Sequence, residues 1–197
     1  QAPKCWFNKM NEIFAQMGFT PLHKERCIYV RKCADGSYCY LLVYVDDILV
    51  IAKDEATLKL VKEQLAQQLK VRDLGPTSRF LNLTIERSTD RSYFTVSQED
   101  YIQELSELYG LDEAHTQLKQ PALDSISLEP SEDEHVDPTL PVRNIVGALL
   151  YIANTTRPDI SAAVSYLSRH LHHPTKRILK YSKILLNYAR STKNKKL

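Results

Sequence analysis

The chain has 197 residues, of which 43% are hydrophobic and 25% charged, so it carries enough apolar material for a sizeable core and is not disordered by composition. Its formal net charge of +2 conceals three regions. Residues 1–111 sum to −1, residues 112–140 to −7, and residues 141–197 hold 11 basic residues against Asp159 alone, a net of +10. The longest apolar run, Tyr38 to Ala52, is too short to span a bilayer and contains two aspartates, so no membrane partner is expected. The +10 region points to polyanions, nucleic acid first among them. Cys5, Cys27, Cys33 and Cys39 fit neither paired zinc ligands nor a disulfide framework; reduced thiols in a cytoplasmic or nuclear protein are expected. The first residue is Gln1 and no signal-peptide pattern follows it, so an excised or processed piece is expected.

In chain order, Trp6, Met10, Ile13 and Met17 recur at helical spacing, which predicts an amphipathic helix ended by Gly18, with Trp6 packed in the core. Two β-rich runs, 27–33 and 38–44, flank Asp35-Gly36 and predict a hairpin. The second run meets Asp46-Asp47 and continues at once as Ile48-Leu-Val-Ile-Ala52, a second hairpin with two carboxylates at its tip. Asp54 predicts the cap of a helix running to Lys70, with Leu58, Val61, Leu65 and Leu69 on one face. Gly75-Pro76 breaks the chain before two short strands, 80–87 and 93–96. Ser97-Gln-Glu-Asp100 resembles a capping box and opens a helix that stops at Gly110. Residues 112–142 are acidic, with four prolines, and read as a surface loop or linker. Three helices follow: Asn144 to Asn154, one opened by Pro158, and one begun at Pro174 whose polar side carries Lys176, Arg177, Lys180, Lys183 and Arg190. The first stretch is therefore α+β with an antiparallel sheet, and the last is helical.

The chemistry concentrates at Tyr44-Val45-Asp46-Asp47. Acids between apolar strands cost free energy unless something satisfies them. Adjacent carboxylates at a hairpin tip suit Mg²⁺, a hard cation that takes oxygen ligands, and a pair of such ions can clamp an in-line phosphoryl transfer. A bare Asp-Asp pair is more often an ordinary turn; the strongly apolar flanks weigh against that reading here. His170, His172 and His173 near Pro174 read as exposed residues at a helix end rather than a zinc site. Cys27, Cys33 and Cys39 read as small buried residues on strands.

Residues 38–54, centred on Tyr44-Val-Asp-Asp47, resemble the YxDD motif of reverse transcriptases in its copia-type retrotransposon form. The likeness is collinear along nearly the whole chain. It takes in Gln1-Ala-Pro with Trp6-Phe7, Asp73-Leu-Gly75, Phe80-Leu81, Ser97-Gln98 with Tyr101-Ile102, Val146-Gly-Ala-Leu-Leu-Tyr151 and Thr156-Arg-Pro-Asp-Ile160. The resemblance implies an antiparallel-sheet polymerase palm with flanking helices over residues 1–96, a thumb helix over 97–111, the acidic linker over 112–142, and a basic helical thumb and connection region over 143–197. It implies Asp46 and Asp47 as catalytic ligands of Mg²⁺ or Mn²⁺. Gln1, Tyr44 and Val45 would lie near the RNA or DNA template-primer, and the basic helix with Lys176, Arg177, Lys180 and Lys183 along the duplex. The partners implied are template-primer, a deoxynucleotide if the missing part is supplied, and the rest of a retrotransposon polyprotein.

A complete palm needs a third carboxylate from a strand before the Gln1-Ala-Pro segment, and two adjacent acids supply too few fixed ligands for two ions. The expectation is a partial RNA-directed DNA polymerase, inactive as this chain alone. The alternative is a domesticated, non-catalytic remnant that binds nucleic acid or protein. Asn82 stands where the family has glycine, Lys4 replaces an arginine, Ile178 a histidine, and Ser191 the glycine of a Gly-Thr pair.

Overall fold

The computed structural model describes residues 2–90, 92–111, 118–121, 128 and 135–197. It divides into two compact units, Gln1–Thr77 and Ser78–Leu197, each with its own core.

In the first unit, helix α1 (Ala2–Gln16) precedes four strands, β1 (Thr20–Pro21), β2 (Ile28–Lys32), β3 (Tyr38–Tyr44) and β4 (Asp47–Ile51), and helix α2 (Glu55–Gln68) closes it. The sheet order is β1-β2-β3-β4, antiparallel throughout. Gly18 ends α1 at a φ of +81°, a conformation open to glycine at little cost. Asp54 caps α2 as the sequence predicts, accepting the Thr57 N–H at 2.8 Å. Side chains alternate across β3, so Cys39 and Leu41 face the core with Met10, Ile13, Phe14, Phe19, Val61 and Leu65, and Tyr38, Tyr40, Leu42 and Tyr44 share the other face. Phe14 meets Tyr29 edge to face at 4.7 Å. Arg31 joins three elements of the unit: its guanidinium lies 4.7 Å from the Phe19 ring centroid and donates to the Met17 carbonyl and to Gln64 Oε1, both at 2.9 Å.

The second unit holds a separate three-stranded sheet, β5 (Arg79–Phe80), β6 (Leu83–Arg87) and β7 (Phe94–Ser97), then α3 (Glu99–Leu108), α4 (Val142–Thr155), a 3₁₀ turn (Pro158–Ile160), α5 (Ser161–Ser168) and α6 (Lys176–Ser191). The single strand expected over 80–87 is two strands. Leu81 and Asn82, at φ of +51° and +59°, form a tight turn between them, the pattern of a type I′ hairpin. Asparagine is the best-tolerated residue after glycine in that conformation, so Asn82 fits without disturbing the backbone. The expected capping box is absent. Gln98 holds the cap position without a side-chain bond to the helix, and its side-chain Oε1 instead accepts the Thr156 hydroxyl at 2.7 Å in the core. Much of the acidic 112–142 stretch lies outside the described residues. Of its described part, Leu128 is buried in the second core and the Asp137 N–H donates to the Pro174 carbonyl at 2.8 Å, so these positions are fixed to the unit.

Motif segments converge here as scaffold. Tyr151 donates its hydroxyl to the Leu81 carbonyl, closing α4 over the tight turn, and Tyr101 packs edge-on against Tyr151 at 5.8 Å. Arg157 is 1% exposed, and its fork meets both oxygens of Asp159 at 2.9 Å. The same guanidinium donates to the carbonyls of Ala189 and Thr192, satisfying groups left open at the C-terminal end of α6. No helix among the described residues is long and apolar enough to cross a membrane.

Candidate functional site

β3 and β4 pair from Tyr40↔Ile51 to Tyr44↔Asp47, leaving Val45 and Asp46 as a two-residue turn. The tip is therefore Val45-Asp46, and Asp47 is the first residue of β4 rather than part of the bend. Val45 sits at a φ of +56° while Asp46 does not share a positive φ, the pattern of a type II′ turn. Valine is β-branched and avoids that region, so the turn stores about 1–3 kcal/mol of strain. Packing does not hold it there, because Val45 is 67% exposed.

The carbonyl of Val45 is met by Trp6. The indole Nε1–H donates to the Val45 carbonyl at 2.8 Å. Its spacing with Met10 and Ile13 predicts Trp6 in the core; the structure instead leaves it 40% exposed, one turn of α1 beyond the buried stripe, where the helix overhangs the hairpin tip. Its role was the main site feature that periodicity missed. The available signal was an aromatic with a donor at the end of an amphipathic face that its neighbours already filled.

Asp46 and Asp47 are both exposed, and neither side-chain carboxylate has a hydrogen-bond or ion-pair partner among the described residues. Asp47 lies across from Tyr44, on the sheet face away from the core. Exposed, unpartnered adjacent carboxylates fit a hard divalent cation with water filling the remaining positions. Among the described residues no group of three His, Cys, Asp or Glu side chains could hold a metal. Two other acids of the first unit, Asp35 and Asp73, are occupied. Asp35 accepts the Ser37 hydroxyl at 2.7 Å and Lys53 at 3.3 Å, which holds its carboxyl down to about 2. It also lies at the opposite end of β3, about 24 Å away at the usual strand rise. Asp73 accepts the Gly75 N–H at 2.9 Å and pairs with Lys62 at 3.0 Å, and its carboxyl is lowered for those reasons.

The remaining candidates lie apart. Gln1 lies outside the described residues. Lys176 and Lys180 are exposed on α6, and Arg177 is half-buried. Lys183 is half-buried and donates to the Tyr109 carbonyl at 2.8 Å, where it caps the end of α3. Lys176 and Arg177 occupy the first turn of α6, which carries no acid, so cations and the positive end of the helix dipole reinforce one another. His172 and His173 are exposed and His170 is half-buried against Tyr166. Of the cysteines, Cys39 alone is buried; Cys27, expected inside, is exposed before β2 begins.

A profile of the family described as "Reverse transcriptase (RNA-dependent DNA polymerase)" matches residues 1–123. The chain is 29% identical over 198 residues to the retrovirus-related Pol polyprotein from transposon TNT 1-94 of Nicotiana tabacum, covering 98% of the chain and 15% of that protein. It is 32% identical over 199 residues to the Pol polyprotein from transposon RE1 of Arabidopsis thaliana, covering 98% of the chain and 13% of that protein. Against a putative transposon Ty5-1 protein of Saccharomyces cerevisiae, identity is 34% over 194 residues, 98% of the chain and 62% of the relative. The chain thus spans a small part of the two polyproteins and under two thirds of the yeast protein. No solved structure matches it. With its aspartates exposed at a hairpin tip and its relatives drawn from Pol polyproteins, the chain belongs to the reverse transcriptase family, in the copia-type retrotransposon branch.

Proposed function

We propose that this chain is the part of a copia-type RNA-directed DNA polymerase that carries two of the catalytic carboxylates, Asp46 and Asp47, together with a basic helical region that grips template-primer. The observation that carries the reading is the pair of exposed, unpartnered carboxylates on a turn held in a strained conformation. A bound Mg²⁺ or Mn²⁺ would supply charge neutralisation at phosphate and activation of the attacking oxygen. Asp46 and Asp47 would hold the cation. Tyr44 and Val45, 56% and 67% exposed, present an aromatic ring and a short apolar side chain beside them, suited to the sugar and base of the primer end. Lys176, Arg177 and Lys180 would meet backbone phosphates. Lys183 contributes charge there while its ammonium stays bonded to the Tyr109 carbonyl.

Two fixed carboxylates are too few for a two-ion clamp, so catalysis requires a third from outside the described residues. Without that third acid the chain is a binding platform without turnover. Template-primer binding tests this. Mg²⁺ should tighten binding of an RNA–DNA duplex to the wild-type chain and leave Asp46→Asn unaffected, with no nucleotide added in either case. Primer extension by the wild type that vanishes in Asp46→Asn would show the chain to be complete. Cation-independent binding would favour a remnant without metal chemistry.

A further inference from the structure

We infer that Trp6 is a positioning residue for the two aspartates: its indole N–H locks the central peptide of the turn and so sets their affinity for a divalent cation. The inference rests on the cation-binding reading above. In a two-residue turn the soft motion is rotation of the peptide between the two central residues, which interconverts turn types while the strands stay in place. Here that peptide is Val45–Asp46, and its carbonyl is the group that Trp6 holds at 2.8 Å. The other end of the same rigid plane is the Asp46 N–H, so the indole fixes the direction in which Asp46 leaves the turn.

Three further observations support a lock rather than incidental contact. Val45 is held at a φ of +56° without packing to keep it there. Trp6 is 40% exposed, so its ring is not serving mainly as core. The helix that bears it is anchored one turn later by Met10, then Ile13 and Phe14, all buried, so the indole donor stands on a rigid mount. Released from Trp6, the Val45–Asp46 peptide would rotate, changing the φ of Asp46 and turning its side chain away from Asp47.

The test is a double-mutant cycle on the full chain. Trp6→Phe keeps a ring and removes the donor. Its Mn²⁺ affinity by calorimetry should fall about three- to tenfold, the size of one hydrogen bond, and the Asp46 amide should exchange faster by a similar factor. Adding Val45→Gly should restore most of the affinity, because glycine at the first central position favours the type II′ turn without help. Unchanged affinity in Trp6→Phe, or a loss that Val45→Gly does not rescue, overturns the inference. Should Trp6→Phe fail to fold, the wild type gives a second reading. Trp6 is the only tryptophan, so Mn²⁺ should quench its emission in wild type and not in Asp46→Asn. Emission that does not respond to saturating Mn²⁺ counts against it. If the wild type binds no Mn²⁺ at all, the cation reading fails, and the lock is judged by Asp46 amide exchange alone.

Discussion

Arg157 and Asp159 face one another through two bonds of 2.9 Å, and this pair, two residues apart in sequence, fastens the far end of α6 to the start of α5. Tyr188 donates to the same carboxylate at 2.8 Å and Lys195 at 3.2 Å, so the last turn of α6 and the residues after it converge on one acid. Asp159→Asn should leave Arg157 buried and uncompensated. The expected cost is about 3 kcal/mol, read as a lower denaturant midpoint for the second unit. Arg157→Lys should cost nearly as much, since an ammonium cannot make the fork or reach both carbonyls of α6.

The same acid makes stability depend on pH. Arg157, then Tyr188, hold Asp159 well below the usual carboxylate range, against the opposing effect of partial burial. Its folded pKa is depressed, so its contribution is fully present above the unfolded value of about 3.9 and is lost as pH falls below that toward the folded value. The stability gap between wild type and Asp159→Asn should be constant from pH 7 to pH 5 and narrow by pH 3. Chemical denaturation at those pH values checks this. A gap that widens in acid contradicts it.

Asn82 at a φ of +59° makes a backbone prediction. Asn82→Ala should destabilise the second unit by about 1 kcal/mol, because alanine resists that conformation. Asn82→Gly should change stability by no more than about 0.5 kcal/mol. Equal effects of the two would mean that the turn does not need the left-handed region.

Much of the scaffold was legible from pattern. Period-3.6 spacing locates α1, α2 and the C-terminal helices, and the Asp54 cap is legible because its partner Thr57 is three residues away. What sequence could not reveal depends on distant partners. Nothing in the spacing of Thr156-Arg-Pro-Asp-Ile160 marks Arg157 as buried, yet its partners at Ala189 and Thr192 enclose it. Gln98 looked like the interior of a capping box because its actual partner, Thr156, is 58 residues on. At the site, the aspartates were visible as acids among apolar strands. The Trp6 contact was not, since helical spacing is blind to where a helix ends relative to a hairpin 39 residues later.

The basic helix makes an electrostatic prediction. If Lys176 and Lys180 each meet a phosphate, the plot of log affinity for duplex against log salt should be steep. Each Lys→Gln change should lower its slope by about one. Lys183→Gln should instead lower stability, because Lys183 caps α3 through the Tyr109 carbonyl. Binding that is insensitive to salt would remove α6 from the interface.

Asp46 and Asp47 are proposed to hold a divalent cation where β3 turns into β4. Calorimetric titration of Mn²⁺ into the wild-type chain and into Asp46→Asn tests it most directly, with Asp35→Asn as a control at the opposite end of β3. Saturable binding in wild type and Asp35→Asn that disappears in Asp46→Asn is the expected result. Binding of equal strength in all three proteins would place the cation elsewhere and contradict the assignment.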